Sequence, residues 1–349
     1  MDPRPIAEQI ESLIRTRFGR VNLPADGFSL SSEAVHPDMT CPLPTSWNGT
    51  RCWLIYTPYK NSDATYENPA FLAAGADTEW TTPQQVSNPV IGFPGAGQYN
   101  SDPDHALDPA TGRLVQMYRL VTDSANKIMI MSTGNARQWS KPVVAFKERR
   151  HDAVSPALLI DNDRGAKVWY VRTGEEGCQS RTSDVQLRTA HPDWGVGFEQ
   201  AEWSAPTPVS LSIPGAVVWH LDVIEVPQGY LALIAAFPKG SVCSASDLWL
   251  ATSSDGIRWR TFAVPVLWRG MKMVENRSLT TWYRGTMRYD PENDVLHLWP
   301  SALAGAKWGV YHMSAKLTDL LAVLGSAQAN DWRALSLKQP RARLVPDMP

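Results

Sequence analysis

The sequence lacks any apolar run of 18 or more residues, so it predicts no membrane-spanning helix. Residues 1–21 are charged throughout and lack the apolar core of a secretory signal. They instead place apolar residues at helical spacing, which predicts a short amphipathic helix. We therefore expect the chain to fold in the cytoplasm of its producer, or to leave that cell by lysis, as virion components do.

An excess of charge of either sign is also missing. The chain has 33 Lys and Arg against 35 Asp and Glu, for a net charge of −2. Proteins that bind nucleic acid or acidic membrane surfaces usually carry a basic patch. This balance predicts no nucleic-acid partner and no membrane partner.

Cysteine is scarce and shows no metal-binding spacing. The four cysteines are Cys41, Cys52, Cys178 and Cys243, and none forms a CxxC or Cys/His zinc motif. Buried free thiols are the first expectation. Cys178 and Cys243 occupy equivalent hairpins of neighbouring repeats, so a disulfide between them is the alternative left open.

Tryptophan, by contrast, is abundant, and four of the fifteen close a repeated phrase. The phrases are TEWTTP, RQWSKP, AEWSAP and IRWRTF, which contain Trp80, Trp139, Trp203 and Trp259, roughly 60 residues apart. Each follows an apolar strand, a polar turn and an alternating strand, with one more short strand ahead. A fifth copy over residues 294–317 lacks the Trp ending. Most of these tryptophans are expected to fill packing between sheets.

Five units of about four strands predict an all-β fold, a five-bladed β-propeller. A pair of β-sandwiches is the weaker alternative because it does not explain the repeat. Residues 1–20 form the N-terminal helix, residues 21–325 the propeller and residues 326–349 an extended tail. Either 26–32 or 332–338 is expected to supply the strand that closes the ring. The predicted blades cover about 30–90, 91–145, 146–210, 211–268 and 269–318.

Polar residues recur at one position of the repeat, on the strand expected to line the central channel. Four of the seven histidines lie there, each within two residues of an aspartate. A lone Asp or His–Asp pair is usually structural, but recurrence in four of five repeats favours a site. The residues singled out as substrate-binding are His36, His105, His151, Trp219, His220, Trp282, Tyr283 and Arg284.

Carboxylates at this position suggest hydrolysis of a sugar. Glycoside cleavage uses two carboxyl groups, one as acid and one as base or nucleophile. Clustered carboxylates also separate one another's pKa values. The candidate catalytic residues are Asp38, Asp104, Asp152 and Asp222, with Asp102 as second choice to Asp104.

These aspartates and the turn SSDGIRW, residues 253–259, resemble glycoside hydrolases of family 43 and family 32. The resemblance implies a five-bladed propeller that cleaves a furanoside or related polysaccharide. It implies that Asp38 is the base or nucleophile and that Asp104 or Asp102 orients the sugar. The third-blade acid of those families is a glutamate, whereas this chain offers Asp152.

That departure keeps a second function open, a non-catalytic carbohydrate-binding or structural propeller such as a virion or surface-appendage module within a larger particle. A protein-interaction scaffold is disfavoured because it does not explain acids at the axis. Under the first two readings a carbohydrate is the expected ligand. No metal ligand is assigned and no cofactor is required, although zinc, or a calcium ion in the channel, is left open.

Overall fold

The computed structural model describes residues 4–15, 19–24, 31–41, 47–84, 86–163, 165–174, 176–193, 196–274, 277–328 and 331. Within them lie two α-helices, α1 at Ile6–Arg15 and α2 at Leu317–Ser326. Neither they nor any other helix of the described residues is long and apolar enough to cross a membrane.

The strands form five sheets in which neighbouring strands are antiparallel, which confirms the five-bladed propeller. The first blade contains β2 Ala34–Thr40, β3 Cys52–Pro58, β4 Phe71–Ala76 and β5 Glu79–Thr81. The second contains β6 Tyr99–Asp108, β7 Arg113–Val121, β8 Ala125–Thr133 and β9 Val143–Arg149. The third contains β10 Val154–Ile160, β11 Ala166–Arg172, β12 Asp184–Ala190 and β13 Thr207–Val209. The fourth contains β14 Ala216–Val226, β15 Gly229–Pro238, β16 Asp247–Ser253 and β17 Arg260–Thr261.

The fifth blade closes the ring with a strand from the N-terminal end. It contains β18 Lys272–Val274, β19 Arg277–Asp290, β20 Val295–Ala304, β21 Lys307–Lys316 and, outermost, β1 Gly19–Arg20. Gly19 pairs with His312 and Arg20 with Tyr311. The two segments predicted to close the ring, 26–32 and 332–338, fall wholly or mostly outside the described residues.

The two helices pack together beside the fifth blade. Ile10 and Ile14 of α1 are buried in one apolar cluster with Leu317, Leu320 and Leu324 of α2. Their spacing puts the three leucines on one face of α2. The sequence predicted α1 but not α2, which lies where the last blade was expected to meet an extended tail.

Packing between the blades uses the tryptophans as expected. Among the largest fully buried side chains are Trp53, Trp169, Trp282, Trp299 and Trp308. The repeated turns also use their indoles. Trp80 Nε1 donates to the carbonyl of Asp77 at 3.1 Å, and Trp259 Nε1 donates to that of Gly256 at 2.9 Å.

All four cysteines are paired, so the expectation of free thiols is wrong. Disulfides join Cys178 to Cys243 and Cys41 to Cys52. The first pairing was the alternative left open and links loops of the third and fourth blades. The second was missed, although Cys41 follows β2 and Cys52 begins its antiparallel neighbour β3, which brings their Cα atoms within 4.2 Å. Such bonds persist in oxidising compartments.

We predict that the two disulfides stabilise the fold unequally. Their cysteines are 65 and 11 residues apart, and loop-closure entropy gives about 4 and about 3 kcal/mol respectively. Urea unfolding of the Cys178→Ser/Cys243→Ser and Cys41→Ser/Cys52→Ser variants measures both. A larger loss of unfolding free energy from the second pair would contradict this account.

Candidate metal centre in the propeller channel

The inner strands of the five blades are β2, β6, β10, β14 and β19, and each breaks its regular pairing partway along its length. The register of the inner strand against the next strand shifts there in all five blades. His36, Asp102 and Ser155 have left-handed backbones, with φ of 50°, 51° and 54°. Each of these three precedes a proline, which has no N–H to donate to the sheet. Such β-bulges re-aim side chains, and here they separate two layers of polar residues.

The lower layer fastens neighbouring inner strands. Asp38 Oδ2 accepts from the N–H of His105 at 2.7 Å, and Asp104 Oδ1 accepts from that of Leu158 at 2.8 Å. Two further acceptors do the same. Asp222 Oδ2 takes the Met287 N–H at 2.8 Å, and Thr286 Oγ1 takes the Met39 N–H at 3.3 Å. Each donor belongs to the next blade, so we call Asp38, Asp104, Asp222 and Thr286 the latch ring.

Charge in the latch ring is shared unevenly. Burial disfavours ionised Asp38, but the hydrogen bond and charge of His105, 2.6 Å away, lower its pKa. Burial and the charge of Asp38 raise the pKa of Asp222 to about 7 and that of Asp104 well above its usual value. Arg284 Nη2, 2.7 Å from Asp104 Oδ2, offsets part of this effect. The site therefore avoids three full negative charges in one buried space.

Three of the four predicted catalytic aspartates lie together. Oxygens of Asp38, Asp104 and Asp222 lie within 4.8 Å of one another. Asp38 and Asp222 also line a pocket of about 260 Å³ toward the C-terminal ends of the inner strands. Asp152 is not part of this group, because its Oδ1 accepts from the N–H of Gly174 at 3.1 Å.

The upper layer brings together His36, Asp102 and His220, which we call the upper cluster. Asp102 Oδ1 lies 3.5 Å from His36 Nε2 and 3.5 Å from His220 Nδ1. All three residues are at most 1% exposed. None of these three atoms has a hydrogen-bond partner among the described residues. The other Asp102 oxygen is occupied, 3.1 Å from the Ser155 N–H and 3.0 Å from Arg119 Nε.

Glu67 lies beside the nitrogen of His36 that faces away from Asp102. Glu67 Oε1 lies 3.2 Å from His36 Nδ1 and accepts the Ser101 hydroxyl at 2.5 Å. Burial lowers the pKa of His36 to about 3, so the ring is neutral. Burial raises the pKa of Glu67 to about 7. When Glu67 is ionised it accepts the His36 proton on Nδ1, which leaves the lone pair of Nε2 facing an Asp102 oxygen with no proton between the two acceptors.

A divalent cation fits this arrangement. Zinc bonds of about 2.1 Å in tetrahedral geometry place neighbouring ligand atoms about 3.4 Å apart. The observed separations of 3.5 Å match that spacing. Two imidazoles with one carboxylate suit zinc or a similar ion. A carboxylate on the far nitrogen of a ligating histidine, as Glu67 provides, is the usual supporting contact.

Two of the aromatic residues predicted to bind substrate, Trp219 and Tyr283, lie beside the upper cluster. The Tyr283 ring lies 4.5 Å from that of His220 and 5.4 Å from that of His36, and its hydroxyl accepts from Trp219 Nε1 at 2.9 Å. Trp282 donates to the carbonyl of Trp268 at 2.9 Å. Trp219, Trp282 and Tyr283 are all buried, and the Trp219 ring lies 5.4 Å from that of His220.

Three of the residues predicted to bind substrate remain, His105, Arg284 and His151. His105 and Arg284 hold aspartates of the latch ring, whereas His151 lies half-buried above β10. Sequence reasoning missed Glu67, which lies in the loop between β3 and β4. It also missed Arg119, on the second strand of its blade. No repeated pattern marks either residue.

Known proteins share this architecture. No family model matches the sequence. An A type blood N-acetyl-alpha-D-galactosamine deacetylase from Flavonifractor plautii is 26% identical over an alignment of 358 positions, which covers 85% of this chain and 44% of that protein. The chain thus spans less than half the length of this relative.

Solved structures agree on the fold. An N-acetylgalactosamine deacetylase from F. plautii, in complex with blood group B trisaccharide, superposes with a TM-score of 0.76 at 21% identity, covering 89% of this chain and 98% of that one. A thermostable family-43 glycoside hydrolase gives 0.58 at 14% identity, covering 83% and 91%. The chain has the five-bladed propeller fold of these carbohydrate-active enzymes. The expected resemblance to family 43 is confirmed at the level of fold.

We predict that Thr286→Val weakens the fold without disturbing the upper cluster. The change removes the acceptor for Met39 N–H and the hydrogen bond to Asp38 Oδ1 at 3.1 Å. A loss of about 1–3 kcal/mol in unfolding free energy follows from a buried group left unpaired. Thr207→Val, on an exposed outer strand, is the matched control and should change stability by less than about 0.5 kcal/mol. Equal effects at both positions would show that the latch ring does not hold the blades.

Proposed function

We propose that the protein is a metal-dependent deacetylase that hydrolyses the acetamido group of an N-acetylated sugar. The observation that carries this proposal is the meeting of three unpartnered ligand atoms in the upper cluster, His36 Nε2, Asp102 Oδ1 and His220 Nδ1. The similarity to a galactosamine deacetylase over 85% of the chain supports the same reaction class.

The proposed reaction adds water to the acyl carbon and breaks its bond to nitrogen, which releases acetate and the sugar amine. A divalent ion held by the upper cluster would polarise the acyl oxygen and make bound water more acidic. Asp102 is kept in place by Arg119 and the Ser155 N–H, and His36 by Glu67. These contacts pre-set the ligands on strands of the rigid propeller.

Glu67 is the proposed general base. It contacts the upper cluster through His36 without contributing an atom to it. Its Oε1 is engaged by His36 and by the Ser101 hydroxyl, so we assign proton transfer to Oε2. Glu67 would take the proton of the attacking water and return it to the departing nitrogen.

Cleavage of a furanoside by paired carboxylates is the second candidate. The proximity of Asp38, Asp104 and Asp222 beside a pocket favours it. Their role as backbone acceptors in the latch ring counts against it, because each already has a structural duty. If neither reaction occurs, we propose instead that the protein is a non-catalytic carbohydrate-binding module. The carbohydrate-active relatives give no support to a virion role.

We predict about one divalent metal ion per chain, lost when the upper cluster is altered. Elemental analysis of purified protein should find the metal reduced at least tenfold in His36→Ala and Asp102→Asn. Two variants are controls. His191→Ala removes an exposed histidine, and Asp38→Asn alters the latch ring, so both should retain the metal. Loss of metal in Asp38→Asn but not in Asp102→Asn would place the ion in the latch ring and contradict a site in the upper cluster.

We predict that the wild type releases acetate from N-acetylgalactosamine glycosides and that Glu67→Gln lowers kcat by about 10²- to 10⁴-fold, the usual contribution of a general base. Metal content is measured in the same samples, and the assay contains excess metal, because Glu67 also supports the proposed ligand His36. Glu202→Gln, an exposed substitution, should be unchanged. Reducing ends measured in the same reaction detect glycoside cleavage. Reducing ends without acetate, abolished by Asp38→Asn, would favour the second candidate.

A further inference from the structure

Three polar side chains of the second and third blades have atoms for which the described residues offer no hydrogen-bond partner. The atoms are Tyr99 Oη, Arg119 Nη1 and His151 Nδ1, all buried from solvent. We call these residues the polar wall. A buried donor or acceptor left unpaired is costly, and native proteins rarely keep several together without a role.

Arg119 joins the polar wall to the upper cluster. It lies on β7 opposite Ser101, and its Nε lies 3.0 Å from Asp102 Oδ2. Its guanidinium carbon lies 5.6 Å from the centre of the Tyr99 ring. Burial lowers the pKa of His151 to about 4, and the charge of Arg119 adds to that effect. The three side chains are therefore electrostatic neighbours beside a proposed metal ligand.

His151 is held in an unfavourable conformation. Its φ is 62°, in the left-handed region that costs energy for a residue with a side chain. Its carbonyl accepts from both the N–H and the hydroxyl of Thr173, each at 3.0 Å. Gly177 lies against the ring so closely that a Cβ there would come within 3.3 Å of Nδ1. The next residue, Cys178, is bonded to Cys243 of the fourth blade. The fold thus fixes His151 from several sides.

We infer that the polar wall positions the substrate, binding oxygen atoms of the sugar and its acyl group beside the upper cluster. This inference rests on the proposed deacetylase function. Arginine nitrogens can only donate hydrogen bonds, so Arg119 Nη1 needs an acceptor, and a Tyr hydroxyl can donate as well. Carbonyl and hydroxyl oxygens of an N-acetylated sugar supply such acceptors. A few fixed polar groups of this kind set ligand orientation in binding sites.

Two variants test the polar wall without touching the ligand atoms. Tyr99→Phe removes one hydroxyl, and His151→Asn removes the ring while tolerating a left-handed backbone. Each should lower kcat/KM for acetate release about 3- to 10-fold, mainly through KM, as expected for one lost hydrogen bond. Metal content and melting temperature should not change. Tyr118→Phe, in the apolar cluster between the first and second blades, is the control.

The outcomes separate this inference from the proposed function. Unchanged KM and kcat in both variants, with an active wild type, overturn the polar wall and leave the deacetylase intact. If the wild type releases no acetate, calorimetric titration with N-acetylgalactosamine decides. Weaker binding to the two variants than to Tyr118→Phe then supports the polar wall, whereas equal binding, or none to the wild type, overturns it.

Discussion

Asp102 Oδ1 lies buried in the channel 3.5 Å from His36 Nε2 and 3.5 Å from His220 Nδ1. Buried acceptors repel one another unless a proton or a cation lies between them. Burial keeps His36 neutral, and an ionised Glu67 accepts the proton of its other nitrogen, which leaves the place beside Asp102 Oδ1 to the cation that we propose. The contacts of Arg119 and Ser155 with Asp102 serve that centre.

On the inner strands, residues that fasten the blades lie two positions from residues that we propose as metal ligands. His36, Asp102 and His220 belong to the upper cluster, and two positions further along, Asp38, Asp104 and Asp222 form the latch ring. The third blade has Ala157 at the latch position, and there Asp222 instead reaches its own neighbour Val223 through Oδ1. The same part of the repeat thus provides both the fastening of the blades and, two residues away, the proposed metal ligands.

Sequence repeats were sufficient to predict the number of blades, because four Trp-ended phrases mark four blades and a fifth copy without the Trp marks the last. They also located the channel residues, since His and Asp recur at one position. They could not separate the layers, because the bulges at His36, Asp102 and Ser155 override the strict alternation of a strand. Glu67 and Arg119 were beyond reach for a different reason. Each lies near the upper cluster in space, but its position in the sequence does not recur from blade to blade.

The most direct measurement is anomalous diffraction from crystals of the wild-type protein grown with zinc, recorded on both sides of the zinc absorption edge. The account predicts one strong peak in the channel, about 2.0–2.2 Å from His36 Nε2, Asp102 Oδ1 and His220 Nδ1. A channel without that peak, or a peak among Asp38, Asp104 and Asp222 instead, would contradict it.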